Sequence, residues 1–426
     1  MPLLMVLAEG RYLLTADETY RELALRWAKG TAILFAVGAV SGTVLSFELG
    51  LLWPSFMQEA GPIIGMPFSL EGLAFFLEAI ALGIYLYGWD RVPPLAHLAS
   101  GVVVAISGAM SGVLVVAVNS FMNSPQGFTL DAQGQLLSVD LYQAFFTPAF
   151  PTQAAHMLVS AYTSVGFAVL GIHAWSLRRR PNNRFHAAAL KLVLPLLIVT
   201  MPLQMLTGDL AAKHIAAHQP SKLAAAEALW QTQQGAPFLI GGIPLDGGRR
   251  VVGGIHVPKV LSFMAFGDFD AKVTGLEDVP PNERPPVLIT HLAFQIMIAC
   301  GSAMFAVSLW GAWLLWKKRR IEKDRRFLLV AMLSGPLGMI AVEAGWTVTE
   351  VGRQPWIIRG YMLVSEAVTP MPGLWLSLLT SIVVYLFLGA VVAVLLYRHV
   401  VNVPLGKSEL PPPDPSLELP REAPAK

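Results

Sequence analysis

Five ionisable side chains lie within long apolar stretches: Glu48, Glu71, Glu78, His156 and Glu343. Such groups are costly inside a bilayer and usually carry function. Glu71 and Glu78 are seven residues apart. At about 100° per residue that separation is about 20° short of two full turns, so on a helix both carboxylates face one way, roughly 10 Å apart along the axis. They fit either two acids hydrogen-bonded within a bundle, or lining water, or else a proton relay or metal-ligand pair. His156, about one turn inside the outer end of its stretch, is either a satisfied core histidine or a ligand, and neutral imidazole is a common haem ligand. No second deep histidine pairs with it, so a haem there needs another sixth ligand, such as methionine. Among 16 methionines, Met297 is one candidate, although most membrane methionine is packing. His97 and His291 sit at span ends, where water is expected, and His173 near a cytoplasmic end. Lys222 and Glu227 are five apart, about 140° around a helix. They are therefore not a routine i,i+4 ion pair, and taken alone they fit a solvated helical face.

The elements that must position these groups are membrane helices. Hydrophobic residues make up 54% of the 426, and charged residues only 14%, against about 25% in a typical soluble domain. Apolar runs at 30–52, 68–88, 95–118, 152–176, 188–207, 288–316, 327–347 and 374–397 approach or exceed the roughly 20 residues a helix needs to cross a bilayer. The fold class expected is an all-α polytopic transmembrane helical bundle: eight full spans plus an apolar fragment at 1–8. Disordered, fibrous and disulfide-rich secreted classes are excluded. A single cysteine, Cys300, rules out an intrachain disulfide, a thiolate metal cluster and a C-x-x-C-H haem attachment. The net charge of +2 says nothing of nucleic acid, and none is expected as a partner.

Basic residues in short loops set orientation. Arg11, Arg21, Arg26 and Lys29, the stretch SLRRRPNNRFHAAALK, the stretch KKRRIEKDRR, and Arg398 with Lys407 mark cytoplasmic segments. Residues 54–67 and 119–151 carry no Lys or Arg, and 348–373 only Arg353 and Arg359, so these face outward. The domains expected are 1–207, a first bundle portion with a truncated first span; 208–287, a long outer loop; 288–400, a second bundle portion; and 401–426, a Pro-rich disordered cytoplasmic tail. A loop so long is expected to be functional. Within it Ser221–Gln231 reads as a helix between Pro220 and Gly235, and the Gly-rich GGIPLDGGRRVVGG as irregular. Glu71, Glu78, His156, Met297 and Glu343 all fall in the outer half of the membrane. A site built from them would lie near the outside, and protons from the cytoplasm would cross the bundle to reach it. Interrupted spans and inverted repeats are not legible, which weighs against a transporter using buried carboxylates.

Six stretches together carry a resemblance: SGTVLSFELGLLWP (41–54), FSLEGLAFFLEAIALGIYLYGWDR (68–91), AAHMLVSAYTSVGFAVLGIHAW (154–175), QPSKLAAAEALWQT (219–232), HLAFQIMIACG (291–301) and AVEAGWTVTEVGRQPW (341–356). They resemble subunit I of the cytochrome bd family of quinol oxidases, and the resemblance runs from residue 1 to about 400. The run Gly345–Trp356, which includes Trp346, is its most specific part.

The resemblance implies three non-covalent haems, oxidation of membrane quinol at the outer face and reduction of O₂ to water. His156 and Met297 match the axial ligands of a low-spin haem b. Glu71, Glu78 and Glu343 match acids around the high-spin haem b and the third haem, which is haem d or another haem b, with Glu343 and Glu71 as implied ligands. Lys222 and Glu227 match the quinol residues of the outer "Q loop". Arg353 or another outer cation can neutralise haem propionates, and Arg353 alternatively serves as an interfacial anchor. Gln295 stands where many relatives carry arginine near the methionine, and together with the short loop this resembles the cyanide-insensitive branch. Ser111, with Glu78 and Glu71, is expected on the inward proton path. A second subunit as heterodimer partner, and a small single-span subunit, are further expectations, as is a bacterial inner-membrane location with the Q loop periplasmic and the C-terminus cytoplasmic. The family carries a haem-ligating histidine in its first span. Here the first histidine is His97, and an N-terminally incomplete chain is expected. A haem-b electron carrier without oxygen chemistry is the competing reading that this missing histidine supports.

Overall fold

The computed structural model describes residues 1–132 and 136–401. Beyond Val401 the expected tail lies outside the described residues. Eight helical segments among those described are long and apolar enough to cross a membrane. They are built from α2 (Glu18–Leu52), α3 (Pro54–Tyr87), α4 (Pro94–Asn123), α6 (Phe150–Arg179), α7 (Arg184–His218), α10 (Val287–Trp316), the consecutive α11 (Arg325–Ser334) and α12 (Leu337–Val351), and α14 (Leu374–Leu396). The shorter helices are α1 (Pro2–Thr15), α5 (Leu141–Phe145), α8 (Pro220–Ala226), α9 (Val260–Phe266) and α13 (Val364–Ala367). The expected helical membrane class is thus observed. The hydropathy runs mark only the apolar part of each helix. Residues 9–29 and 54–67, read as loops, are mostly helical, because polar residues such as Glu18, Arg21 and Glu22 continue α2 beyond its apolar stretch.

One span corrects the sequence reading. The run 327–347 is interrupted between α11 and α12, at Gly335 and Pro336. Proline has no N–H to give the preceding turn and clashes with it, so the helix stops and restarts. The break sits against α6: a Cβ added at Gly171 would lie 2.7 Å from Gly335 Cα, and one at Gly338 2.5 Å from Ser164 Cα. Small residues let helix backbones approach this closely.

The contacts group the chain into two compact units. Among the described residues, one comprises 1–43, 74–108 and 375–401. In it Glu9 and His97 are buried together, with His97 Nδ1 2.7 Å from Glu9 Oε1 and Nε2 2.9 Å from Tyr85 O. His97 is therefore no water-exposed span end. Protein partners have replaced solvent at both ring nitrogens.

The other unit comprises 44–73 and 109–374. There α6 packs on α7, α10 on α12, α12 on α6 and α10 on α7, a four-helix arrangement with α11 alongside α6. Its connections carry short strands: β1 (Phe128–Leu130), β2 (Leu136–Val139), β3 (Gln233–Gln234), β4 (Phe238–Leu245), β5 (Arg250–Val257), β6 (Lys272–Val273), β7 (Trp356–Ile358) and β8 (Met362–Leu363). They pair antiparallel as β1–β2, β3–β6, β4–β5 and β7–β8.

The long loop departs from expectation in two ways. GGIPLDGGRRVVGG is an ordered hairpin, with Ile240 opposite Ile255 and Leu245 opposite Arg250. The helix expected over Ser221–Gln231 ends at Ala226. Ala228 turns the chain at φ 49°, and the carbonyls of Leu229 and Trp230 accept from Leu276 and Glu277 N–H at 3.0 and 2.9 Å. The loop has its own core, including Leu223, Ala224, Ala225, Leu229, Leu239, Leu261 and Leu276, continuous with Ala216 and Val287 at the ends of α7 and α10.

Candidate functional site

Lys222 and Glu227 are among the most buried charged residues of the chain, 3% and 4% exposed. Placing Lys222 inside α8 and Glu227 at its end follows from an alanine-rich turn, Ala224–Ala226, that packs into the loop core. The Lys222 ammonium donates to Asn123 Oδ1 at the end of α4. Asn123 donates to Asn119 O at 2.9 Å, and Asn119 to Glu350 Oε1 at 2.7 Å. Glu350 in turn accepts from Arg353. Burial holds the Lys222 amine well below its ordinary range, and neighbouring Arg353 pushes the same way, while Glu350 opposes. Burial likewise raises the Glu227 carboxyl to about 8, against the pull of the Leu239 N–H, 3.4 Å from Oε2. A cleft of about 60 Å³ reaches Lys222, lined also by Gln219, Arg353 and Arg359.

Arg353 is 5% exposed and its Nη1 finds no protein acceptor among the described residues. A buried guanidinium with an unused donor suits an anionic group such as a carboxylate.

His156 lies on α6 facing α7. Its ring makes only long contacts, 3.2–3.3 Å, to Gln204 and Thr207, and Gln204 Oε1 is buried without a partner among the described residues. Glycine stands beside the ring: a Cβ at Gly208 would lie 3.2 Å from His156 Cε1. Met297, on α10, has the same feature. A Cβ at Gly345 of α12 would lie 3.2 Å from its sulfur. Glycine at 208 and at 345 thus lets the His156 ring and the Met297 sulfur lie close against neighbouring helix backbone. Imidazole and thioether are the donor types of a mixed axial haem ligand pair.

Glu343 is exposed and lies two residues before Gly345, about 200° around α12, so it faces away from Met297 and belongs to a different group. Trp346 is half-buried on the same helix. Glu71, half-buried, accepts from Ser111 Oγ at 2.8 Å. Glu78 borders Gly108, where an added Cβ would meet its Oε1 at 3.0 Å.

Gln295 is bonded to the loop backbone on both sides of its amide. Its Oε1 accepts from Gly241 N–H and its amide donates to Leu239 O, both at 2.9 Å. His291 corrects the sequence reading as well. It is fully buried, against Ala226 O at 2.8 Å and Gly241 O at 3.1 Å. Asn119, Asn123, Glu350 and Gln204 were passed over in the sequence. Two asparagines in the apolar run VAVNSFMN were the signal available for the first pair.

The profile of the cytochrome bd terminal oxidase subunit I family matches residues 1–404. The chain belongs to that family. A protein of Bacillus subtilis (strain 168), provisionally described as a cytochrome bd menaquinol oxidase subunit I, is 36% identical over 420 residues, covering 96% of this chain and 94% of the relative. The cytochrome bd ubiquinol oxidase subunit 1 of the same organism is 30% identical over 413 residues, with coverage of 93% and 87%. The solved bd oxidase from Geobacillus thermodenitrificans superposes with a TM-score of 0.86 at 39% identity, covering 93% of this chain and 92% of that one. The chain is thus subunit I of a cytochrome bd-type quinol oxidase, a multi-pass membrane quinol:oxygen oxidoreductase. This disposes of both the transporter and the oxygen-inert carrier.

Proposed function

We propose that quinol is oxidised where α8 ends, with Glu227 as proton acceptor and Lys222 as the group that holds the developing quinol anion or orients its oxygen. The observation that carries this reading is the pair itself: an amine and a carboxyl buried in one loop, each pushed by burial toward its neutral form. A carboxyl raised to about 8 exchanges protons readily near neutral pH.

We assign His156 and Met297 as the axial ligands of a low-spin haem b, Arg353 as its propionate partner, and Glu343 and Glu71 as ligands in the high-spin haem b and third-haem region. Glu78 and Glu71, with Ser111, carry protons inward to oxygen. Gln295 and Trp346 shape the surroundings of the Met297 side. Haem, when bound, supplies one-electron transfer and oxygen chemistry, and a His/Met pair sets a higher potential than two imidazoles. The protein's own part is to hold quinol, take its protons, exclude water and deliver protons from the far side. The basic-loop pattern supports a periplasmic Q loop and a cytoplasmic C-terminus in a bacterial inner membrane. Family practice supports a second subunit as heterodimer partner, with a small single-span subunit as an addition.

Lys222→Ala and Glu227→Ala should each lower quinol-driven oxygen uptake at least tenfold while the haem spectrum persists. Wild-type turnover in both variants would refute the assignment.

A further inference from the structure

Two side chains on one face of α10 hold the quinol loop. His291 and Gln295 are four apart, so they project together. Between them they make four contacts with loop backbone: His291 to Ala226 O and Gly241 O, Gln295 to Gly241 N and Leu239 O. Ala226 directly precedes Glu227, and Leu239 supplies the N–H that reaches the Glu227 carboxyl. Both backbone supports of that carboxyl are therefore fastened to α10. Neither His291 partner can donate, since both are carbonyl oxygens. A neutral imidazole donates to one of them at a time, and the ring lies between both, 2.8 Å from Ala226 O and 3.1 Å from Gly241 O, so it bridges the end of α8 and strand β4. Met297 lies on the same helix, one to two turns further on. The tie therefore also sets the place of Glu227 relative to that side chain.

We propose that His291 is a positioning residue of quinol oxidation: it clamps the end of α8 and β4 to α10 and so holds the Glu227 carboxyl against quinol. The inference rests on the assignment of Glu227 made above.

The test uses the whole oxidase with its partner subunit, carrying His291→Ala, His291→Gln or Glu227→Gln. Three quantities are measured: quinol kcat/KM across pH, the low-spin haem spectrum, and oxygen uptake driven by a small non-quinol reductant. His291→Ala should lower quinol kcat/KM about tenfold and displace its pH limb, with the haem spectrum kept and non-quinol uptake within about twofold. His291→Gln, whose amide donates to one of the two carbonyls, should recover part of the loss. Quinol kinetics unchanged in His291→Ala, alongside a Glu227→Gln enzyme that has lost quinol oxidation, overturns the clamp and leaves the Glu227 assignment standing. Equal impairment of both His291 variants, with haem lost, also overturns it, as a merely structural role. Normal quinol oxidation in Glu227→Gln removes the assignment itself. Should His291→Ala fail to assemble, the kinetics and pH limb of His291→Gln decide.

Discussion

Burial decides the chemistry of Glu227. A carboxyl in water ionises near pH 4, but removing it from solvent penalises the charged form, and here the value rises to about 8. As a proton acceptor it must be ionised, so the active fraction grows as pH rises toward that value and levels off above it. Quinol-driven kcat/KM should therefore climb through about pH 8, and Glu227→Gln should flatten that limb and lower the rate about a hundredfold. An unchanged limb in the variant assigns the titration to another group. The same shift has a stability consequence of fixed sign. Since the folded value is raised, the protonated carboxyl's contribution is full below about pH 4.5 and is lost as pH rises through about 8, so alkaline conditions both activate the base and loosen the loop around it. Lys222 and Glu227 were legible only through the resemblance. Their spacing alone fits a solvated face, and what distinguishes them is burial, with the Lys222 ammonium donating to Asn123, 99 residues away.

Among the elements, the spans were readable because a bilayer demands long apolar runs and little else. The loop was not. The β4–β5 hairpin lacks clean alternation: Gly241 and Gly242 take φ of 67° and 90°, so the side-chain pattern slips in mid-strand. The α8 helix stops short of its helix-forming residues because Leu229 and Trp230 pair with Leu276 and Glu277 instead, a tertiary preference that overrides propensity. His291 looked wet at a span end, and only the docked backbone of residues 65 and 50 positions away makes it dry. Broken helix α11–α12 was hidden because Gly335 and Pro336 sit inside an otherwise apolar run. The reason α12 carries a glycine at 345 is testable. An alanine there puts its Cβ 3.2 Å from the flexible end of Met297, which can shift by a few tenths of an ångström, whereas valine fills the space. Gly345→Ala should keep the low-spin haem spectrum, and Gly345→Val should weaken or abolish it while Gly345→Ala protein of equal yield serves as control. A full spectrum in Gly345→Val means the sulfur does not need that clearance.

For the whole molecule, the proposed roles and topology separate charge without a pump. Each electron leaving quinol at the Q loop releases a proton outside, and each electron reaching oxygen takes a proton that has crossed the bundle from inside. That inward proton moves through the membrane field, which costs about 2.3 kcal/mol per elementary charge per 100 mV. Turnover should therefore be slower in sealed, energised vesicles than in detergent, and an ionophore that collapses the potential should restore it. Glu78 is where the residue-level and molecule-level arguments meet. It lies on α3 seven residues from Glu71, whose carboxylate is held by Ser111, and replacing it removes a proton carrier while leaving the quinol loop untouched. Glu78→Gln should slow oxygen uptake about tenfold or more even in detergent. Its rate should stay below wild type when an ionophore collapses the potential, because the impaired proton delivery persists without the field. Quinol binding, read as KM, should stay near wild type. A Glu78→Gln enzyme with wild-type turnover and the full ionophore response would mean that protons reach oxygen by a route that bypasses this carboxyl.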